Sequence, residues 1–342
     1  MKQENRVERI SSTIKSNPVA SLGIVLATFV IGLSTFTDAA KNLISVVAQQ
    51  SPEDARAELS RMSLQYTPAD FVRSAKTGDL SAVKLFLTAG MNPNATTPSD
   101  AYGTSGAGWT AVMSAASEGQ TKVVGALVKA GADVKKSDYT FNALTLSASR
   151  GHIDSVRILL DQGFDTHAIN DAFVSAVAKR HQDIMRLLVD KGADVKKVGP
   201  HAIALLLNDG SVNGEDSYGG KEVSDIVKAV LDLGADPNGR DDDGWSPLLR
   251  AAYGEYPSAL HLLLDRGADV NAKCNCPGSG YGGATALMIA ARNGGLESVK
   301  ALLAKGAETN ERDENGSTAL ALAVQGSRNP SIVQLLKESK GK

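Results

Sequence analysis

Cys274-Asn275-Cys276 holds both cysteines of the chain. A zinc site needs four ligands, and no second Cys or His pair lies at ligand spacing. The preferred reading is two ordinary loop thiols. The alternative, in an oxidising compartment, is that the pair closes on itself into a small, easily reduced ring. Asp209-x-Ser211-x-Asn213-Gly214 resembles the first half of a calcium loop, with alternating oxygens and a turn glycine. The twelfth position is Gly220 where a bidentate glutamate is needed, and Glu222 comes too late. A polar surface loop is expected. The same stretch contains Gly219, Gly220 and Lys221, but a phosphate loop needs Ser or Thr after the lysine, and Glu222 stands there. The five histidines, at 152, 167, 181, 201 and 261, pair with no Ser or Cys in a catalytic pattern. These residues point to no cofactor, no metal and no enzyme. An enzyme or metal-binding protein using the loops 208–221 and 272–283 is the disfavoured alternative.

The elements that carry these loops are short and repeated. In Gly283 to Asn310, Thr285 can cap a helix through its hydroxyl. Leu287, Ala290 and Ala291 share one face of that helix. Gly294 and Gly295 break it. Leu296 to Lys305 forms a second helix with Val299, Leu302 and Leu303 on one side, ended by Gly306. Helices this short are marginal in water, so they need to stack on copies of themselves.

The chain supplies the copies. Closing glycines recur at Gly90, Gly131, Gly163, Gly192, Gly234, Gly267 and Gly306. Gly283, Thr285, Leu287, Ala290, Ala291, Gly294, Val299, Leu302, Leu303, Gly306 and Ala307 match the pattern of an ankyrin repeat, which this stretch resembles. Ala286 stands where proline is usual. About eight such units cover residues 67–340, including an imperfect first and last. Residues 95–108 and 272–283 enlarge two fingers, and the fifth unit has His201 opening its first helix and an insertion before Glu222. The fourth unit puts His181 where glycine usually sits. His152 follows a turn glycine, where histidine is commonplace in the family, so its expected role is structural. Low aromatic content, 5%, beside 33 glycines suits stacked short helices better than one large core. The net charge of −2 gives no global basic field, so no nucleic-acid partner is expected.

The ends differ. Residues 1–17 form a polar tail containing Lys2, Arg6, Arg9 and Lys15. Ser16 to Thr37 carries no charge, and at about 1.5 Å per residue a helix there matches a ~30 Å bilayer core. We read residues 18–37 as a transmembrane helix. A cleaved signal peptide is the rival, since Thr37 and Ala39 are small. The basic residues put the N-terminus in the cytoplasm and the repeats outside it, in the periplasm if the source is bacterial. Residues 38–66 are a helical linker, of which 49–66 is read as a solvated spacer with a short helix.

The expected fold is therefore all-α: an ankyrin-repeat α-solenoid with hairpin fingers behind one transmembrane helix. The resemblance implies a membrane-anchored, non-catalytic module that binds a protein on its concave side. By motif position the first helices contribute Arg73, Lys76, Ser114, Ser117, Glu118, Leu146, Ser149, Arg150, Arg250, Tyr253, Ile289, Arg292 and Asn293. The fingers contribute Tyr102, Trp109, Tyr139, Asp241, Asp242, Asp243 and Tyr281. Tyr, Trp and Arg tend to anchor interfaces. Trp109 and Trp245 can instead be packing between neighbouring hairpins. The architecture is also similar to bacterial membrane-bound ankyrin proteins, some of which support peroxide defence. That gives an alternative role in stress protection.

Overall fold

The computed structural model describes residues 50–97, 108–137, 141–208, 220–326 and 329–339. The expected membrane span at 18–37, the calcium-like stretch after Asn208, Tyr102 and Tyr139 lie outside them. Among the described residues there are 17 helices, and no helix is long and apolar enough to cross a membrane.

One compact unit combines residues 50–66 with 84–92. Its helix α1, Pro52–Arg61, starts at Ser51, whose hydroxyl accepts the Asp54 N–H. Proline in the first turn loses nothing, because that N–H has no helical partner. Ala55 and Leu59, four residues apart, are fully buried. Arg56 donates to the Ala89 carbonyl at 3.3 Å and lies 4.5 Å over the Tyr66 ring. This corrects the solvated-spacer reading: one face of the linker helix is packed.

The other unit, residues 67–83 and 93 onward, holds the rest. It contains α2 (Pro68–Thr77), the start of α3 (Leu80–Thr88), α4 (Ala111–Ser117), α5 (Thr121–Lys129), α6 (Ala143–Ser149) and α7 (Ile153–Leu160). Then come α8 (Thr166–Ala178), α9 (Gln182–Asp190), α10 (Val195–Leu207), α11 (Gly220–Asp232) and α12 (Pro247–Tyr253). The last are α13 (Pro257–Asp265), α14 (Ala286–Asn293), α15 (Leu296–Ala304), α16 (Ala319–Gly326) and α17 (Pro330–Ser339). The even-numbered helices pack side by side from α2 to α16 as an inner row. The odd-numbered ones from α5 to α17 lie behind them as an outer row. Between α9 and α11 the outer row opens into a cleft of about 400 Å³, with Met185 on one side and Ala229 on the other.

Inner helices mix small residues with a few large ones and are buried on several sides. All of α4, AVMSAAS, is buried. That overturns the exposure expected for Ser114, Ser117, Leu146 and Ile289, each buried in the row. Caps follow the sequence: Thr67, Thr110, Asn142, Asp165 and Ser246 each accept a backbone N–H with a side-chain oxygen. Thr285 holds the extended cap conformation at the start of α14, and its N–H donates to Met288 Sδ at 3.5 Å. Two inner helices are longer than expected. α8 and α10 start just after Gly163 and Gly192 and replace the finger with extra helical turns. Asp165 and Asp194 sit where the chain would otherwise extend, and each caps through its carboxylate. The fifth unit's first helix thus begins at Val195, not His201, and Pro200 lies inside it.

Neighbouring units are tied at the turns between their helices. Gln120 Nε2 donates to the Lys76 carbonyl at 3.3 Å. His152 Nε2 meets the Ser117 carbonyl at 3.0 Å, and His181 Nε2 meets the Ser149 carbonyl at 3.2 Å. A carbonyl only accepts, so each Nε2 carries the hydrogen. This is the structural role expected of His152. It also corrects His181, which occupies the His152 position; the glycine position belongs to Arg180, at φ 64°. At Gly119, φ is 69° and an added Cβ would lie 2.5 Å from His152 Nδ1. Only glycine gives both the left-handed turn and room for the next unit's ring. A second tie runs along the fingers and, at Asn170, from the helix that replaces one: Asn94, Asn170, Asn238 and Asn271 Oδ1 accept the N–H of Asp133, Asp194, Asp269 and Glu308.

Gly131 is also left-handed, φ 82°, with nothing within 4 Å of an added Cβ. Gly131→Ala should therefore cost only the left-handed penalty, about 1 kcal/mol. Gly119→Ala should cost about 1–2 kcal/mol more, from the His152 contact. In a His152→Ala background that excess should vanish. Urea unfolding of the unsubstituted chain, the three single variants and the Gly119→Ala/His152→Ala double variant checks it; equal costs at the two glycines would refute the turn contact.

Candidate functional site

Asp241 organises the finger before α12. Its Oδ1 accepts the N–H groups of Asp243 at 3.0 Å and Trp245 at 2.9 Å, which folds the tip. Its Oδ2 accepts Arg250 Nε at 2.8 Å. Arg250 Nη2 donates to Asp243 Oδ2 at 2.9 Å, and its guanidinium lies 4.7 Å from the Trp245 ring centre. Arg250 is spent on these contacts, with its side chain 11% exposed. Arg240 spans to the next finger, donating to the carbonyls of Gly244 and Lys273.

Three aromatic rings meet there. Trp245, Tyr253 and Tyr281 contact one another edge to face, with centroids 5.4–5.6 Å apart. Each pair is worth about 0.5–1.5 kcal/mol beyond burial. Trp245 is 5% exposed and Tyr253 42%, so the cluster has a buried root and an open tip. Burial holds the Tyr281 hydroxyl above the usual tyrosine range. Arg292 lies 4.9 Å over the Tyr281 ring and donates to the Gly280 carbonyl. Asn293 Nδ2 donates to the Tyr253 carbonyl at 3.1 Å. The three rings and Arg250 border an open cleft of about 830 Å³, walled on one side by Asp241–Gly244 and on the other by Asn275–Ser279.

Of the residues singled out from the sequence, Asp241, Asp242, Asp243, Arg250, Tyr253, Tyr281, Arg292 and Asn293 come together here. Asp242 is exposed, its carboxylate 3.5 Å from His201 Nδ1. The others stand in earlier repeats: Arg73 pairs with Asp70, and Glu118 pairs with Arg150 at 3.5 Å. The Lys76 side chain is exposed, and the Trp109 carbonyl accepts the Thr97 N–H. Trp245 packs between hairpins, as its alternative reading had it, and also roots the ring cluster. Sequence reasoning missed Arg240 and the wall at 275–279, because no motif position marks a loop's facing side. Cys274 and Cys276 are joined in a disulfide, in place of the free thiols preferred from sequence. Among the described residues no group of three His, Cys, Asp or Glu is placed to hold a metal ion.

The cluster presents a rigid aromatic and guanidinium surface whose side chains are already ordered, the chemistry of an interface anchor. Asp241→Asn removes a buried charge from Arg250 and should lower stability by about 2–4 kcal/mol. Asp242→Asn should change it by less than about 0.5 kcal/mol. Urea midpoints of the two variants test this; equal effects would refute the organising role of Asp241.

The family model for ankyrin repeats (3 copies) matches residues 71–170, 140–199 and 272–342, and that for ankyrin repeats (many copies) matches 223–264. The chain is similar to the ankyrin repeat protein YahD of Escherichia coli (strain K12), 28% identical over 222 residues, covering 60% of this chain and 100% of that protein. It is 37% identical over 95 residues to human ankyrin repeat and KH domain-containing protein 1, 28% of this chain and 4% of that one. It is 33% identical over 164 residues to an L-asparaginase of Dirofilaria immitis, 45% of this chain and 26% of that one. The chain thus spans all of YahD but only a small part of the other two. With the repeated helix pairs, the matched models settle the classification: the chain belongs to the ankyrin repeat family, an all-α solenoid whose repeats serve protein–protein interaction.

Proposed function

We propose that the chain binds a partner protein through the cleft beside α12 and α14, with Tyr253, Tyr281 and Arg292 as its anchors. The observation that supports this is the ring cluster: a buried Trp245 holds two tyrosines, and two arginines lie over the rings. Such side chains lose little conformational entropy on binding. Residues 18–37 would tether the module to a membrane with the repeats outside the cytoplasm, which raises the effective concentration of membrane partners. The run without charge and the basic tail before it support the tether.

A photo-cross-linking residue at position 253 or 292, in the full chain in intact membranes, should capture a discrete partner. The same residue at Arg73 should capture far less. Tyr253→Ala, read from cross-linker at 292, and Arg292→Ala, read from cross-linker at 253, should each lower apparent affinity about ten-fold. No capture at 253 and 292, or equal capture at 73, would remove the cleft from the interface. A reporter fused after Lys342 should be active outside the cytoplasm, and activity confined to the cytoplasm would reverse the orientation.

A further inference from the structure

The disulfide in the wall of the cleft has a mechanical place in the finger. Cys274 belongs to the finger's base: its N–H donates to the Ala284 carbonyl at 2.8 Å, and its carbonyl accepts the Gly283 N–H at 3.0 Å. Cys276 belongs to the tip: its carbonyl accepts the N–H and the hydroxyl of Ser279, at 3.3 and 2.8 Å. The sulfur bridge therefore ties base to tip, with Cα atoms 5.3 Å apart. Between them the Asn275 carbonyl presses on the preceding finger, where a Cβ on Gly244 would lie 1.8 Å from it. Gly244 is left-handed, φ 82°, so glycine is needed there on both counts. Beyond the tip the chain returns to Tyr281, whose ring packs on Trp245 and Tyr253.

We propose that Cys274 and Cys276 are a reversible dithiol–disulfide site, reduced by a dithiol, whose state sets the wall of the cleft and so regulates binding there. The regulatory half rests on the binding reading above; the redox half does not. The cysteines are 4% and 2% exposed, but Asn275 and Pro277 to Gly280 over them are exposed and belong to no helix. A reductant reaches the sulfurs when this loop lifts, without unfolding of a repeat. Its thiolate attacks one sulfur, the Cys274–Cys276 bond breaks, and a mixed disulfide forms. The reductant's second thiol displaces it and leaves as a cyclic disulfide. Two electrons and two protons have then passed to the cysteines. Base and tip are no longer tied, Asn275 loses its fixed seat on Gly244, and the Tyr281 side of the ring cluster loosens.

The test uses the full chain with thiols alkylated at lysis. The expected count is no alkylated cysteine at lysis and two after dithiothreitol. Trp109→Phe leaves Trp245 as the sole indole. Its emission should shift on reduction, return on reoxidation, and match the reduced state permanently in Cys274→Ser/Cys276→Ser. Hydrogen exchange over residues 272–283 in the unsubstituted chain should rise on reduction, giving the same reading with no substitution. Cross-linking from position 253 should fall about ten-fold on reduction, the size of one lost anchor. Two alkylated cysteines at lysis, or unchanged exchange and emission, overturn the proposal. An emission and exchange response with equal cross-linking in both states overturns the regulatory half alone. A response with no cross-linking in either state defeats the binding reading and leaves the redox site standing.

Discussion

No described helix pair of the repeats can hide its own apolar face, so each depends on the pair beside it. The dependence is most specific at the turns. Gln120, His152 and His181 each reach back to a carbonyl of the preceding unit and fill the space over its turn. At these three turns a hydrogen-bond donor from the next unit meets a glycine without a Cβ in a left-handed backbone. These contacts act beside the large buried side chains of the inner helices, such as Phe71, Met113, Leu144 and Phe173, in fixing how one pair sits on the next.

The candidate site draws its order from the same stacking. Arg240 reaches from one finger to carbonyls in its own and the next. Asp241 then folds the tip and fixes Arg250, Arg250 covers Trp245, and Trp245 holds the two tyrosines. Each step removes freedom from a side chain before any partner arrives. An aromatic cluster on an isolated hairpin would lack that support. The site accordingly sits where the long 272–283 finger lies beside the finger before α12.

Repetition made most of this legible. The closing glycines adopt the left-handed backbone that the pattern implies, and the 272–283 finger is as long as its sequence suggests. Legibility failed where a unit departs from the pattern. In α8 and α10 the finger is replaced by helix, because an aspartate cap soon after the closing glycine lets the helix start early. His181 was misplaced by one position, since an arginine in a left-handed turn reads as an ordinary helical residue. Ser114, Ser117, Leu146 and Ile289 looked accessible by motif position, yet the neighbouring inner helix covers them. The site was half visible: aromatic and charged residue types mark it, but which fingers face each other depends on packing between units. For the cysteines, sequence spacing alone left both oxidation states open.

The opening between α9 and α11 bears on how the array carries load. From α5 to α9 and again from α11 to α17, both rows join one pair to the next. Here the outer row contributes little, and continuity runs through α8, α10 and α12. A tension or thermal strain along the stack concentrates at this seam, much as a perforation guides a tear. A force carried from the pairs near α2 to those bearing the aromatic cleft therefore passes through the inner helices at this seam.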